Sequence, residues 1–85
     1  SLVLLARCFM AKELFDLALE QLQRAAEGLS VMDDFKKEVL YLLAQCFERL
    51  ERNAEAIEQY KAIYSNDIGY KDVALKIDAF YGPKN

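Results

Sequence analysis

The 85-residue sequence has no histidine and no tryptophan, and it contains only two cysteines, three glycines and one proline. So few glycines and prolines allow few tight turns, which argues against a β-sandwich or a β-barrel. Without histidine the chain lacks the side chain most often used as a general base. It also has no nucleophile elbow and no glycine-rich phosphate loop. We therefore expect a single domain that is not an enzyme and that holds no cofactor.

The two cysteines, Cys8 and Cys46, lie far apart, and neither belongs to a Cys-x-x-Cys pair. With no histidine as a co-ligand, this spacing predicts no metal site. A chain with so few cysteines does not have the composition of a disulfide scaffold, so we expect two small, buried, reduced side chains. Reduced cysteines favour a cytoplasmic location, and a periplasmic one stays open.

Charge argues against a nucleic-acid partner. Eleven basic and fourteen acidic residues give a net charge of −3, whereas nucleic-acid-binding proteins usually concentrate a basic excess on one face. The densest basic pair, Lys36-Lys37, is flanked by acidic residues. Membrane insertion is not expected either, because Arg7 interrupts the apolar residues 2–6 long before the roughly 18 residues of a membrane span.

Apolar residues recur every three or four positions along the whole chain, which predicts an all-α protein. We expect five helices, over residues 2–11, 14–29, 33–50, 54–65 and 70–81. The third helix is apolar on more than one face, so it should pack on two sides and form the centre of the domain. The residues expected to face the core in the first, fourth and fifth helices are Leu2, Leu5, Ala6 and Phe9; Ala56, Ile57, Tyr60, Ile63 and Tyr64; and Val73, Ala74, Ile77 and Phe80.

The expected helix ends have local signals. Asp33 and Asp34 can cap the third helix, and Asn53 can cap the fourth. Gly82 followed by Pro83 should end the fifth. No capping signal precedes the first helix, so we expect the chain to be a fragment of a longer protein.

The sequence repeats itself at an offset of 38 residues. Residues 5–9 (Leu-Ala-Arg-Cys-Phe) match residues 43–47 (Leu-Ala-Gln-Cys-Phe). The same offset places Ala18, Glu20, Gln21, Leu22 and Ala25 on Ala56, Glu58, Gln59, Tyr60 and Ile63. One register thus aligns two helices and the turn between them. The small residues Ala6, Ala18, Ala44 and Ala56 would let the two helices of each unit approach closely.

This pattern resembles the tetratricopeptide repeat, a helix–turn–helix unit of about 34 residues. The matching residues are Leu2, Leu5, Ala6, Phe9, Ala18, Leu22 and Ala25 in the first unit, and Leu40, Leu43, Ala44, Phe47, Ala56, Tyr60 and Ile63 in the second. The resemblance implies a right-handed α-α superhelix of antiparallel hairpins, with unit one over residues 1–32 and unit two over 33–69. Residues 70–81 would be a capping helix or would open a third unit. The resemblance also suggests a bacterial source.

The chain departs from the family pattern in three ways. Glu13 and Glu51 stand where each turn normally carries a glycine, so the turns must form with strain or as a short 3₁₀ turn. Ile68 replaces the usual proline after the second helix. The 38-residue offset also exceeds the standard period by about one helical turn.

The resemblance implies a protein–protein interaction module that binds a partner peptide or helix in a concave groove, as part of a larger scaffold or adaptor. The groove would be lined by the first helix of each unit. The predicted partner-binding residues are Arg7, Glu38, Tyr41, Gln45, Glu48 and Arg49, with Leu4, Ala11, Leu42, Leu75, Lys76 and Ala79 beside them. Tyrosine and arginine are frequent interface anchors, so we expect a peptide with apolar and acidic groups.

Two alternatives stay open. The chain could be a structural repeat that caps its host protein or forms a homodimer through its apolar first helix. The tyrosines Tyr60, Tyr64 and Tyr70 could bind a cofactor, although packing in the core or in an interface is the simpler interpretation of these residues.

Overall fold

The computed structural model describes residues 1–82, which form five α-helices and no strand. The helices are Leu2–Ala11 (α1), Phe15–Glu27 (α2), Asp34–Arg49 (α3), Asn53–Tyr64 (α4) and Val73–Tyr81 (α5). The predicted all-α class and the number of helices in this part of the chain are therefore confirmed.

The end of α2 and the start of α5 differ from the prediction by two and three residues, whereas α5 ends as predicted. Helix α2 stops two residues early because Gly28, a poor helix former, donates its N–H to the carbonyl of Ala25 in a tighter turn. Helix α5 begins at Val73 rather than at residue 70, because Lys71 has a left-handed φ of 39° that no helix accommodates. Gly82 ends α5 with a φ of 80°, whereas Pro83 lies outside the described residues.

The observed helix caps agree only in part with those predicted from the sequence. The Asp33 carboxylate accepts a hydrogen bond from the N–H of Lys36 at 2.9 Å and caps α3, as predicted. Asn53 was expected to cap α4, which is wrong: Asn53 is the first helical residue, and Arg52 precedes it without a side-chain cap. Helix α1 does have a cap, because the Ser1 hydroxyl accepts from the N–H of Leu4.

The turns after α1 and α3 have the same backbone geometry. In each, two N–H groups beyond the helix return to carbonyls of its last turn, in the pattern of the Schellman motif. The donor and acceptor pairs are Glu13 to Met10 and Leu14 to Phe9 in the first turn, and Glu51 to Glu48 and Arg52 to Phe47 in the second. Glu13 and Glu51 both have a φ of 59°, which this motif normally assigns to glycine. The turns thus form without glycine and with backbone strain.

We expect Glu51→Gly to raise the free energy of unfolding by about 0.5–1 kcal/mol. Glycine has no Cβ to clash in the left-handed conformation, and this gain outweighs the larger conformational entropy that glycine loses on folding. Glu51→Ala removes the same carboxylate but keeps the Cβ, so it should change stability by less than about 0.5 kcal/mol. Urea unfolding followed by helical circular dichroism measures both. Equal stability of the two variants would show that the φ of 59° stores no strain.

Helix α3 is the central helix, as predicted. It packs against α2 and α4, whereas α1 packs mainly against α2 and α5 mainly against α4. The described helices therefore contact chiefly their neighbours along the chain, and the molecule is elongated, with extents of 43 × 27 × 17 Å. The buried residues of α3 are Lys37, Val39, Leu40, Leu42, Leu43, Ala44, Cys46 and Phe47.

The core confirms the small residues predicted inside each helical hairpin. Ala6, Ala18, Ala44 and Ala56 are almost completely buried, because a methyl side chain lets two helix backbones approach closely. The largest fully buried side chains are Tyr60, Leu22, Ile63, Val39, Val73 and Cys46.

Several residues expected in the core are exposed, most of them on the terminal helices α1 and α5. On α1, Leu2, Leu5 and Cys8 are exposed, and Val3 is buried instead. Tyr64 is exposed on α4, and Ala74 and Phe80 are exposed on α5. Helices α1 and α5 have one main neighbour each, so they bury a narrower stripe than the periodicity alone predicts. Tyr64 is instead the last residue of α4.

One lysine is buried beside the core. The Lys37 Nζ lies 3.1 Å from Asp67 Oδ2, in the loop between α4 and α5, and 3.9 Å from the exposed Asp34. The other Asp67 oxygen accepts from the N–H of Gly69 at 3.3 Å. Ile68, in the place of the usual proline, is exposed. The loop is therefore fastened to α3 by an ion pair.

Candidate functional site

Polar side chains of α3 contact both α1 and α5. Arg7 of α1 forms an ion pair with Glu38 at the start of α3. At the other end of α3, the Glu48 Oε2 lies 3.1 Å from the Nζ of Lys76 on α5. Because α3 makes both contacts, α1, α3 and α5 contribute to one face of the molecule, which we call the α1–α3–α5 face.

Tyr41 lies at the middle of this face. Its hydroxyl donates to Asp72 Oδ1 at 2.5 Å, just before α5. Its ring packs edge-on against the Tyr60 ring, with centroids 5.6 Å apart. Burial, followed by the hydrogen bond to Asp72, raises the pKa of Tyr41 to about 12. The ring is therefore held in place at both its edge and its hydroxyl.

Glu48 contacts both a residue of the face and a residue of the core. Its Oε1 accepts a hydrogen bond from the buried Tyr60 hydroxyl at 2.9 Å, in addition to the Lys76 ion pair. Burial and then this hydrogen bond raise the pKa of Tyr60. The buried hydroxyl thus finds the partner that a polar atom in the core requires.

The Tyr41 hydrogen bond predicts a pH-dependent mutational effect. Tyr41→Phe should lower the free energy of unfolding by about 1 kcal/mol at pH 8, since a bond to a carboxylate is lost. Above pH 10 the unfolded tyrosine releases a proton that the folded one keeps until pH 12. The wild-type protein therefore loses this stability as the pH rises through that window. Urea unfolding should therefore show a smaller difference in stability between wild type and Tyr41→Phe at pH 11 than at pH 8.

The exposed Tyr64 provides the control for that measurement. Tyr64→Phe should cost less than about 0.5 kcal/mol at either pH. A Tyr41→Phe effect of constant size from pH 8 to pH 11 would contradict the assignment of the shifted pKa to this hydroxyl.

The remaining predicted groove residues lie in different surroundings. Arg49 points toward the α1–α2 turn, where its Nη2 lies 3.1 Å from Glu13 Oε1 and its guanidinium lies 4.4 Å from the centre of the Phe15 ring. Gln45 is half-buried. Leu42 was expected in the groove but is buried, because both sides of α3 are covered. The flanking residues Leu4, Ala11, Leu75 and Ala79 are exposed.

A cleft of about 410 Å³ adjoins the face between α4 and α5. Glu48 and Lys76 border it on the polar side, and Ile57 and Phe80 contribute apolar surface. A hydrophobic side chain placed there would lie beside an ion pair.

The sequence singles out Tyr70, but it does not predict the contacts that Tyr70, Lys71 and Asp72 make with Tyr41. Residue 72 follows the pattern of a helix cap, but its carboxylate makes no cap hydrogen bond and accepts from Tyr41 instead. The Lys71 ammonium lies 5.2 Å from the centre of the Tyr41 ring.

The cysteines have different surroundings. Cys46 is buried and Cys8 is exposed, and burial raises the pKa of Cys46 to about 11. Within residues 1–82, no group of three histidine, cysteine, aspartate or glutamate side chains is placed to hold a metal ion. None of the helices in the same range is long and apolar enough to cross a membrane.

Comparison of the chain with protein-family models, with curated proteins and with solved structures gives no match in any of the three. The resemblance to the tetratricopeptide repeat therefore depends on the chain's own residues.

Proposed function

We propose that the chain is a tetratricopeptide-like array of two hairpins and a closing helix that binds a partner peptide or helix on its α1–α3–α5 face. The observation that carries the proposal is the set of side-chain bridges from α3 to both outer helices. These bridges are Arg7–Glu38, Tyr41–Asp72 and Glu48–Lys76. They bring together the first helix of each unit and the fifth helix, as a peptide groove of this family requires.

The repeated geometry supports the array. The sequence repeats at an offset of 38, and the turns after α1 and α3 repeat at the same offset, with matching hydrogen bonds and equal φ angles at Glu13 and Glu51. Packing mainly between neighbours along the chain is also typical of stacked repeats. We include the right-handed superhelical arrangement and a cytoplasmic location in this proposal.

The Arg7–Glu38 ion pair on the face and the Arg49–Glu13 ion pair at the α1–α2 turn can both be replaced by contacts with a partner. Arg7, Arg49 and Glu38 are about half exposed, and Glu13 is 73% exposed. Exposed ion pairs contribute only about 0–1 kcal/mol, so a partner's acidic group can replace either glutamate with little loss. The ring of Tyr41 is half-buried and fixed, which suits an interface anchor.

Selection from a random peptide library tests the proposal directly. We expect wild-type protein to select peptides, and Tyr41→Ala combined with Arg49→Ala to weaken their binding at least about tenfold, since each anchor residue contributes about 1 kcal/mol or more. The matched control is Gln23→Ala with Arg24→Ala, two exposed residues of α2. Selected peptides that bind both variants as they bind wild type would refute this face, and so would a selection that yields no peptide.

A second candidate function is self-association through α1, and the internal repeat favours it. Leu4 and Leu5 are 64% and 43% exposed, whereas their repeat equivalents Leu42 and Leu43 are 6% and 4% exposed. The difference arises because α3 has helices on both sides, while α1 packs mainly against α2. The apolar face of α1 therefore matches one that a helix covers elsewhere in the same chain, and two copies could cover it mutually.

Light scattering over a range of concentrations tests self-association. We expect a mass approaching twice the 9.8 kDa of the chain, and a return to the single mass when Leu4 and Leu5 are both replaced by Lys. Leu75→Lys, an exposed apolar residue of α5, is the control. A monomer at every concentration would exclude this second function.

A further inference from the structure

Two tyrosine rings on the α1–α3–α5 face form an angled pair that holds a positive charge. The Tyr41 and Tyr70 ring centres are 6.0 Å apart, with the ring planes at 64°. The Lys71 Nζ lies 5.2 Å from the first centre and 5.7 Å from the second. A cation within about 6 Å of a ring centre is attracted by the negative ring face. One ammonium group therefore contacts two aromatic rings at once.

We propose that Tyr41 and Tyr70 form a cation-binding subsite, which Lys71 occupies in the free chain and which a cationic side chain of a bound peptide occupies in the complex. The identity of that occupant rests on the proposed peptide-binding function. The capacity of the two rings to hold a cation does not.

The subsite is rigid on its aromatic side. Tyr41 is fixed by its hydrogen bond to Asp72 and by the edge-on contact with the buried Tyr60. Tyr70 is half-buried and packs against the core. Rings that are already in place need no rearrangement when a cation arrives, so little of the attraction is lost in ordering them.

Lys71, the occupant in the free chain, is in contrast held weakly and has a strained backbone. Lys71 is exposed, and its φ of 39° is a conformation that a residue with a Cβ rarely adopts. Such strained residues persist where the surroundings fix them, and they concentrate at binding sites and switches. Here the surroundings are Tyr70 and Asp72, the two chain neighbours of Lys71, which pack against and hydrogen-bond to Tyr41. An exposed lysine is easily replaced by water or by another cation.

The surrounding charge also favours a cation. The Asp72 carboxylate accepts from the Tyr41 hydroxyl, and Glu38 and Asp34 lie close enough to Tyr70 to raise the pKa of its hydroxyl, after the larger effect of burial. Lys37 lies near Tyr70 and partly offsets these carboxylates, but it is itself paired with Asp67. A basic side chain would therefore be more favourable at the rings than an acidic one.

Tetramethylammonium chloride is a suitable probe, with nuclear magnetic resonance of the tyrosine ring protons as the readout. Lys71→Met keeps an unbranched apolar side chain but removes the competing charge. We expect this variant to bind the probe about two- to fivefold more tightly than wild type, with saturating shifts at Tyr41 and Tyr70. The same titration with tert-butanol, which is uncharged, should give no comparable shifts, and sodium chloride controls for ionic strength.

Two further variants make the test specific. Lys61 lies 5.0 Å from the centre of the Tyr81 ring, which is the one ring beneath its ammonium among the described residues. Lys61→Met should leave probe binding at Tyr41 and Tyr70 unchanged. Tyr41→Leu in the Lys71→Met background should abolish it, with helical circular dichroism confirming the fold. Identical titrations of wild type and Lys71→Met would overturn the proposal, as would equal shifts with tert-butanol.

The outcome is separable from that of the peptide selection. Probe binding at the rings without any selected peptide would leave the subsite standing and refute the peptide-binding function. Selected peptides without probe binding would support the peptide-binding function and refute the cation-binding subsite.

Discussion

Replacing Leu22 by Ala is expected to lower the free energy of unfolding by about 3 kcal/mol. The Leu22 side chain is completely buried in α2, between α1 and α3. Truncation removes three buried carbon atoms and leaves a cavity that the neighbouring helices can only partly fill. Small domains are stable by about 0.05–0.15 kcal/mol per residue, so this loss is a large share of the total.

Leu17 provides the matched control for Leu22. It lies on the same helix and is exposed, so Leu17→Ala should change stability by less than about 0.5 kcal/mol. Urea unfolding followed by helical circular dichroism compares the two at once. Equal losses from the two variants would contradict the burial of Leu22 between the two hairpins.

Asp67→Asn is expected to lower the free energy of unfolding by about 2 kcal/mol. The change removes the carboxylate that lies 3.1 Å from the buried Lys37 ammonium, and the remaining carboxylate, on the exposed Asp34, is 3.9 Å away. Asparagine retains an oxygen for the N–H of Gly69, so the loop loses little else. A buried cation without its partner is the reason for the large effect.

The companion variant Lys37→Met should cost less than about 1 kcal/mol, because it removes the buried charge and keeps the apolar stem. Asp67→Asn should then cost little in the Lys37→Met background. Urea unfolding of the four proteins gives the complete double-mutant cycle. If Lys37→Met destabilises as strongly as Asp67→Asn, the ion pair stabilises the fold instead of only compensating for the buried ammonium.

The helices were largely predictable because each is amphipathic over more than two turns. The two-sided apolar pattern of residues 33–50 predicts a central helix, and α3 is central. The periodicity could not show how wide a stripe each helix buries. That width depends on the number of neighbouring helices, so Leu5 of α1 and Ala74 of α5 are exposed despite their correct spacing.

The ends of the helices show where local signals were ambiguous. Asp33 caps α3 because its own backbone is extended, so its carboxylate can turn back to the N–H of Lys36. Asn53 has a suitable side chain but already lies in the helix, since the left-handed Glu51 ends the preceding turn at Arg52. The position of that turn was given by the repeat, not by the capping preference of asparagine.

The candidate site was predictable in its composition but not in its contacts. The family resemblance selects Tyr41 and Glu48 by their position on α3. It does not predict the hydrogen bond from Tyr41 to Asp72 or the position of the Lys71 ammonium over the Tyr41 ring, because both depend on the conformation of the loop before α5. Side chains that meet across three helices depend on tertiary packing, which no periodicity encodes.

The chain-neighbour packing of the helices has a consequence for how the molecule opens. Contacts between residues close in sequence form quickly, so this topology favours rapid folding. The molecule should also fray from its two ends inward, since α1 and α5 each lose only one main interface when they detach. Amide hydrogen exchange would then be slowest in α3 and fastest in α1 and α5. A peptide bound across α1, α3 and α5 would protect the two frayed ends at once, so binding and cooperativity of folding are linked.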